Sequence, residues 1–158
     1  MQSGELHLQK EKHDLGQLIH RIVDELGTTY ATHALSVEMP EDTQIVAVYD
    51  EARITQVLTN LISNAVKYSP QANRVIIHMH VRENEAEIRV QDFGVGIGKE
   101  EQQKIFDVFY RAKSRGRIQG TGLGLFITAQ IIAAHQERVW VTSELDKGST
   151  FHFSLPLN

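Results

Sequence analysis

Hydrophobic residues recur every three or four positions in three stretches of the chain, which is the spacing of one buried helix face. These stretches are residues 15–26, about 51–69 and 123–135. Asp14 fits the N-cap position of the first helix, and Gly27 fits its end. The second helix should stop before Pro70, because a proline disfavours helical backbone in the residue that precedes it. The third helix should bury one face, formed by Leu123, Phe126, Ile127, Ile131 and Ala134.

Shorter apolar runs predict six strands, with turn sequences between them. The strands are residues 36–39, 45–49, 74–82, 85–91, 139–145 and 150–155. Glu83-Asn84 should join one hairpin, and Asp146-Lys147-Gly148 another. The glycine-rich stretch 94–122 predicts a long loop with at most short helices near residues 100–106. This order predicts an α+β fold, a two-layer sandwich in which three helices cover one face of a mixed, mostly antiparallel sheet.

The composition fits one soluble globular domain. The chain has 158 residues, of which 41% are hydrophobic and 23% charged. The formal net charge of −4 argues against nucleic-acid binding as the main task, and the absence of cysteine excludes disulfides and thiolate metal sites. No apolar run reaches the roughly 18–20 residues that cross a bilayer, so we expect a cytoplasmic domain. Residues 5–14 are highly polar and predict the end of a solvated helix or a linker.

The second helix carries a polar stripe, formed by Asn60, Asn64, Lys67 and Tyr68, about 100° around from its apolar stripe. A solvated helix face would explain a single asparagine. Two asparagines one turn apart need more explanation, because asparagine is a mediocre helix former. A carboxamide oxygen suits Mg²⁺, which prefers oxygen ligands and keeps waters and phosphate oxygens. The stripe therefore suggests a metal site, with Lys67 placed to neutralise a phosphate.

Asp92 directly follows the strand predicted over residues 85–91 and opens the first glycine-rich turn. This residue has the same parity as Ile88 and Val90, so its carboxylate should lie at the edge of the core, where it needs a hydrogen-bond donor. One interpretation is a capped turn. The other is that Asp92 accepts a hydrogen bond from a ligand amine, such as that of adenine, while Gly94 and Gly96 let the backbone approach the ring. The same Asp-Phe-Gly tripeptide occurs in protein kinases, but the other kinase motifs are missing from this chain.

A second glycine-rich turn, Gly120-Thr121-Gly122-Leu123-Gly124, leads directly into the third helix. Backbone N–H groups at a helix N-terminus can bind an anion without any side chain. The turn lacks the Gly-Lys-Ser/Thr of a phosphate loop and does not follow a strand as a dinucleotide fingerprint does. It can also be only a tight connection. The preceding segment is either a solvated loop or a lid over phosphates, and it is basic because of Arg111, Lys113, Arg115 and Arg117.

Four segments resemble, in order, the sequence boxes of the catalytic, ATP-binding domain of sensor histidine kinases. They are the N box at 56–69, the first glycine box at 92–96, the F box at 105–111 and the second glycine box at 120–125. That domain belongs to a superfamily that includes gyrase-type topoisomerases, heat-shock chaperone ATPases and mismatch-repair ATPases. The resemblance runs from about Leu15 to Leu157. It implies a Bergerat-type ATP-binding fold that uses ATP and Mg²⁺.

The resemblance also implies roles for individual residues. Asn64, with Asn60, would support Mg²⁺, and Asp92 would read the adenine amine. Lys67 and Tyr68 would approach the phosphates or the nucleotide edge, and Arg111 would contact the γ-phosphate. The catalytic residues would thus be Asn64, Lys67 and Arg111. Other residues would shape or line the nucleotide site, and they are Gly94, Gly96, Ile97, Gly120, Thr121, Gly122, Leu123 and Gly124.

The lid would comprise residues about 97–119, with Phe106 and Phe109 anchoring it to the body of the domain. One departure from the family follows the third helix, where the family often has His-Gly-Gly and this chain has His135-Gln136-Glu137. That difference should alter only the turn into the next strand.

No histidine of the chain fits the family's phosphoacceptor motif, and His13-Asp14-Leu15 matches it only briefly. We therefore expect residues 1–13 to be the end of a dimerisation hairpin or linker, and residues 14–158 to be the catalytic domain. The partners would be the histidine-bearing dimerisation domain of the same kinase and, indirectly, a response regulator, with no nucleic acid. The isolated domain would be a monomer, cut from a homodimeric parent that can be anchored in the inner membrane.

Two alternatives remain open from the sequence. The chain could be a serine kinase or another ATPase of the same superfamily, although those enzymes typically place a glutamate base on the N-box helix. Glu51 lies more than two turns before Asn60, which is a poor match. The chain could also be a nucleotide-sensing or docking module without catalytic activity.

Overall fold

The computed structural model describes residues 6–41, 44–70, 72–107 and 123–157, which form seven strands and four helices. In chain order, these elements are β1 (Glu11–Asp14), α1 (Leu15–Thr29), β2 (Ala34–Glu38), β3 (Val46–Tyr49), α2 (Glu51–Lys67), β4 (Arg74–Arg82), β5 (Glu85–Asp92), α3 (Lys99–Gln102), α4 (Leu123–Ala134), β6 (Val139–Glu144) and β7 (Gly148–Pro156).

The main sheet has five strands in the order β2-β4-β5-β7-β6. Only β2 and β4 are parallel, and the other three pairs are antiparallel, which confirms the predicted mixed, mostly antiparallel sheet. Both predicted hairpins are present. Their turns use left-handed backbone at Glu83 (φ 56°), Asp146 (φ 67°) and Gly148 (φ 105°), as tight hairpin turns require.

The three long helices pack on the sheet, α1 against β2, α2 against β4 and β5, and α4 against β6. Together with the mixed sheet, this packing confirms the α+β sandwich. The core between the layers contains the apolar stripe of α2, formed by Ile54, Val57, Leu58, Leu61, Ile62 and Ala65. Alternate residues of β5 are also buried, and they are Ala86, Ile88, Val90 and Asp92. Among the described residues, no helix combines the length and the apolar character that crossing a bilayer requires.

The predicted buried face of the third helix was wrong. The buried residues of α4 are Leu125, Thr128, Ile131 and Ile132, and of the predicted face only Ile131 is among them. The reason is that α4 is apolar on nearly all sides, with the sequence LGLFITAQIIAA. A helix of that composition has no polar face to orient it, so periodicity alone cannot identify the side that meets the sheet.

The N-terminal segment contains a strand where the sequence predicted a helix end or a linker. β1 pairs antiparallel with β3, with Glu11 opposite Tyr49 and Asp14 opposite Val46. The four residues of β1 (EKHD) carry no apolar pattern, so its pairing depends on backbone hydrogen bonds that composition does not reveal. One side-chain contact accompanies them, between the rings of His13 and Tyr49, whose centroids are 5.1 Å apart.

A buried histidine joins the end of α4 to the start of α2. The backbone N–H of Asp50 donates to His135 Nε2 at 3.1 Å, and His135 Nδ1 donates to the carbonyl oxygen of Ile131 at 2.8 Å. A backbone N–H can only donate and a carbonyl can only accept, so the geometry requires the neutral tautomer with its proton on Nδ1. Protonation of Nε2 would place two donors against each other.

We predict that the free energy of unfolding falls as the pH is lowered below about 6.5, in part because of His135. Burial holds the pKa of His135 below its ordinary value, and the charge of Lys10 acts in the same direction, while the Ile131 bond and the Asp50 and Glu137 charges act against it. Since the unfolded chain then binds the proton more readily, stability is present above that pH and is lost below it.

Urea unfolding at pH 7.5 and at pH 5.5 measures this loss. His135→Gln should lose less stability between these two pH values than the wild type. His20→Gln, which changes an exposed histidine of α1, is the matched control and should behave like the wild type. An equal loss in wild type and His135→Gln would contradict the prediction.

Candidate functional site

The helix that carries the polar stripe is defined at both ends. Asp50 is the N-cap of α2, and its Oδ1 accepts a hydrogen bond from the backbone N–H of Arg53 at 3.1 Å. Lys67 lies in the last turn, where a positive charge favours the helix dipole. With the apolar stripe turned towards the sheet, Asn60 and Asn64 are half-buried and Lys67 is exposed. Three residues of the polar stripe thus occupy a second, accessible face of α2, whereas the fourth, Tyr68, is the C-cap of the helix and is buried.

The structure brings this stripe to the beginning of α4. The Nδ2 of Asn60 donates to the carbonyl oxygen of Gly124 at 3.3 Å, across 64 residues of sequence. A Cβ added at Gly124 would lie 3.9 Å from Asn60 Cγ, in ordinary contact. Asn60 therefore touches the first turn of the helix that the second glycine-rich turn was predicted to open.

Asp92 is the last residue of β5 and is only 3% exposed. Its Oδ1 accepts hydrogen bonds from the backbone N–H of Gly94 at 3.0 Å and from that of Ser149 at 3.2 Å. The first bond is the capped turn that the sequence allowed, and the second ties the turn to β7. Two backbone donors offset part of the cost of burying a carboxylate, so the charge sits in a preformed position next to the end of α2.

The first two glycines of this turn are needed for contacts within the protein. A Cβ at Gly94 would lie 2.0 Å from the carbonyl oxygen of Tyr68, and that oxygen accepts a hydrogen bond from Val95 at 3.2 Å. Gly96 has φ 74°, and a Cβ there would lie 2.1 Å from the carbonyl oxygen of Glu144. From the sequence, we expected these glycines to let the backbone approach a ligand ring. The structure adds a physical reason of its own, because a side chain at Gly94 would clash with the end of α2 and one at Gly96 with the end of β6.

His33 is a residue of this region that the sequence analysis missed. It is 8% exposed, its Nε2 donates to the carbonyl oxygen of Ser69 at 2.9 Å, and its Nδ1 accepts from Thr32 Oγ1 at 2.9 Å. The hydroxyl of Ser69 bonds in turn to the carbonyl oxygen of Ala65. These bonds fix the turn that follows α2. A lone histidine between Thr32 and Ala34 gives no sequence signal for such a role.

The first part of the predicted lid packs against the β6–β7 hairpin. Ile97 is buried, and its N–H donates to Ser143 Oγ at 2.8 Å. The Nε2 of Gln102 donates to the carbonyl oxygens of Ile97 at 2.8 Å and Ser143 at 3.1 Å. Further along, the ring of Phe106 meets that of Phe151 edge-on, with centroids 6.1 Å apart.

The remaining predicted site residues lie outside the part of the chain that the structure describes. They are Phe109, Arg111, Gly120, Thr121 and Gly122. The described residues bring together the polar stripe of α2, the Asp92 turn and the start of α4. Leu123 and Gly124 occupy the first two positions of α4.

Comparison with known proteins decides the family. The profile of the histidine kinase-, DNA gyrase B-, and HSP90-like ATPases matches residues 49–158, which is more than two thirds of the chain. The chain belongs to this family. The match contains α2, the Asp92 turn and α4, so it covers all three described parts of the candidate site.

Individual relatives identify the branch of the family. The sensor histidine kinase WalK of Bacillus subtilis (strain 168) is 37% identical over 158 residues, which cover 98% of this chain but only 26% of WalK. The mycobacterial sensor histidine kinase MprB has a solved structure that is 25% identical, with a TM-score of 0.79 over 92% of this chain and 96% of that one. Full-length ShkA in complex with AMPPNP has the same fold, at 24% identity and a TM-score of 0.82 over 98% of this chain and 33% of that one. The chain is thus an ATPase domain of the sensor histidine kinase type and spans about a quarter of the length of WalK.

Proposed function

We propose that the chain binds ATP with Mg²⁺ and supplies the γ-phosphoryl group for phosphorylation of a histidine on a separate dimerisation domain, in two-component signal transduction. One observation carries this proposal. Residues from three distant segments meet at α2, because Asn60 bonds to Gly124 at one point and the Tyr68 carbonyl accepts from Val95 at another. The family and the named relatives support the same activity.

The adenine ring of the nucleotide would bind at the Asp92 turn. A carboxylate that is 3% exposed and held by two backbone N–H groups is suited to accept a hydrogen bond from the exocyclic amine of adenine. Tyr68 contacts this turn through its carbonyl oxygen, Ile97 follows the turn in sequence, and both residues are buried. ShkA, a protein of the same fold, has a solved structure in complex with AMPPNP, which supports an adenine nucleotide as the ligand class.

The phosphates would bind where α2 meets α4. The first turn of α4 presents backbone N–H groups that favour anions, and Lys67 adds a positive charge at the end of α2. Gly120, Thr121 and Gly122 would continue the phosphate-binding turn, and Arg111 would contact the γ-phosphate.

The side chains present on α2 fit a magnesium ion. Asn64, with Asn60, offers neutral carboxamide oxygens on an accessible helix face, and Mg²⁺ completes its coordination with waters and phosphate oxygens. When bound, the ion would neutralise charge that develops on the phosphate oxygens during transfer.

In the reaction, an imidazole nitrogen of the acceptor would form a bond to the γ-phosphorus while the bond to the β–γ bridging oxygen breaks, leaving ADP. The acceptor histidine and any base belong to the dimerisation domain of the parent kinase. The task of this chain is to position the nucleotide and to stabilise its charge. A response regulator would receive the phosphoryl group afterwards. We further propose a monomeric domain that works on the cytoplasmic side of a homodimeric parent.

The serine-kinase alternative finds no support in the position of Glu51. Its Oε2 pairs with His13 Nδ1 at 3.2 Å and its Oε1 with Arg21 at 3.4 Å. This glutamate lies in the first turn of α2 and contacts β1 and α1 instead of the Asn60 end of the helix. It is therefore badly placed to act as a base on a nucleophile beside the phosphates.

We predict that Asp92→Asn weakens binding of ADP or a non-hydrolysable ATP analogue by about 10- to 100-fold, as expected when a charge-assisted hydrogen bond is lost. Asparagine keeps an oxygen that can accept from Gly94 and Ser149, so the turn should persist. Isothermal titration calorimetry measures the affinity. Asp24→Asn makes the same charge change on an exposed position of α1 and should bind like the wild type. Wild-type affinity in Asp92→Asn would refute the base site.

We predict that Asn64→Ala reduces the benefit that Mg²⁺ gives to nucleotide binding, because a metal ligand is removed. The measurement is the ratio of nucleotide affinities with Mg²⁺ and with EDTA. Thr55→Ala removes a side chain of similar size from the same helix, where its hydroxyl donates to the carbonyl oxygen of Glu51, and it should keep the wild-type ratio. An equal loss of affinity with and without Mg²⁺ in Asn64→Ala would rule out the metal role.

A further inference from the structure

The N-terminal segment is hydrogen-bonded to the beginning of the helix that carries the polar stripe. The backbone N–H of Gln9 donates to Asp50 Oδ2 at 2.9 Å, across 41 residues of sequence. The other oxygen of the same carboxylate caps α2 by accepting from Arg53. Asp50 is 8% exposed, so each oxygen of a buried charge has a backbone donor.

These contacts keep Asp50 ionised. Burial alone would raise the pKa of the carboxyl, but the N–H groups of Gln9 and Arg53 and the charge of Arg53 act in the opposite direction, and the pKa lies below its ordinary value. A buried carboxylate that loses one of its two hydrogen-bond donors is destabilised by incomplete compensation of its desolvation. A shift of the side chain towards water or another donor would relieve that destabilisation. The position of Asp50 therefore depends on whether Gln9 is in place.

Asp50 also contacts the third element of the region. Its backbone N–H donates to Nε2 of His135, which follows α4 and is itself 2% exposed. One residue thus touches the N-terminal segment through its side chain, caps α2, and holds the end of α4 through its backbone.

The α2–α4 pair is pinned at two separated points. Asp50 bonds to His135 at one, and Asn60 bonds to Gly124 at the other. The helices are therefore antiparallel, and ten residues of α2 put the two points about 15 Å apart. Because helices are stiff over this length, a shift of α2 against α4 at Asp50 must change their alignment at Asn60.

We propose that Asp50 is a positioning residue that couples the N-terminal segment to the nucleotide end of the α2–α4 pair. The proposal rests on the proposed function, since it concerns the affinity of that same site. When Gln9 is bonded to Asp50, the N-cap of α2 and the hydrogen bond from Asp50 to His135 hold α2 and α4 in the alignment that binds magnesium and phosphates. With Gln9 withdrawn, the register relaxes and the site binds Mg²⁺–nucleotide more weakly. The coupling is reciprocal, so bound nucleotide strengthens the Gln9 bond.

The first experiment removes the Gln9 donor without touching Asp50. Gln9→Pro deletes the backbone N–H, whereas Gln9→Ala deletes the side chain and keeps it. Gln9→Pro should weaken binding of the Mg²⁺–ATP analogue about fivefold or more, the lower end of ordinary coupling between sites, while Gln9→Ala binds like the wild type. Equal affinities in the two variants would overturn the proposal.

A second variant removes the same hydrogen bond without introducing a proline, which could distort the backbone at residue 9. Asp50→Asn keeps an oxygen to cap α2, because asparagine is as good an N-cap as aspartate, but it turns an amide towards the N–H of Gln9. It should weaken analogue binding as Gln9→Pro does. Asp14→Asn makes the same change at the N-cap of α1 and should have no effect on affinity. Wild-type affinity in Asp50→Asn would also overturn the proposal.

Amide hydrogen exchange at residue 9 gives a readout that a purely structural role of Asp50 would not move. In the wild type, saturation with the Mg²⁺–ATP analogue should slow exchange of the Gln9 amide, and in Asp50→Asn it should not. Unchanged exchange in the wild type at saturation would refute the coupling and leave the proposed function intact. Failure of the wild type to bind any adenine nucleotide would refute both.

Discussion

Burial of one face of α2 against the sheet is the constraint on which the other parts of the candidate site depend. Its apolar stripe is almost fully buried, with Ile54, Leu61 and Ile62 at 0% exposure. Each such side chain contributes about 1.5–3 kcal/mol, so rotation of the helix about its axis would be costly. With that rotation fixed, Asn60 faces α4, Asp50 meets His135, and the carbonyl of Tyr68 lies where the Asp92 turn can contact it.

The Asp92 turn packs so closely against the end of this helix that a side chain at the contact would not fit. Gly94 lies against the carbonyl of Tyr68, and His33 holds the neighbouring Ser69 from the other side. On its far side the turn is bonded to the β6–β7 hairpin through Ser149 and Ser143. The adenine-binding part and the phosphate-binding part of the proposed site thus both contact the same helix, α2.

The elements that the sequence predicted well are those with strong local signals. The position of α2 follows from its apolar stripe and from Pro70, and the two hairpins follow from their turn residues. The juxtaposition of Asn60, Asp92 and Gly124 was predicted only through the resemblance to a family, because nothing local links residues that far apart. The strand β1 was not predicted, because it has no apolar pattern, and the predicted buried face of α4 was wrong, because that helix is apolar on nearly all sides.

The turn after α4 shows how a departure from a family pattern can be confined. Gln136 adopts φ 60° at the position where the family often has glycine, a conformation that costs a residue with a side chain roughly 1 kcal/mol. His135, which precedes it, keeps its bonds to Asp50 and Ile131. The described structure thus places the change in the turn, while the histidine that joins α4 to α2 remains.

The central claim is that this chain supplies a phosphoryl group to a histidine on another domain. Incubation with γ-labelled ATP, Mg²⁺ and the separately purified dimerisation domain of the parent kinase tests it directly. Label should appear on the dimerisation domain, in an acid-labile bond to a histidine, and should be absent when this chain is omitted. Absence of label on that domain although this chain binds ATP, or label on a serine hydroxyl, would contradict the account.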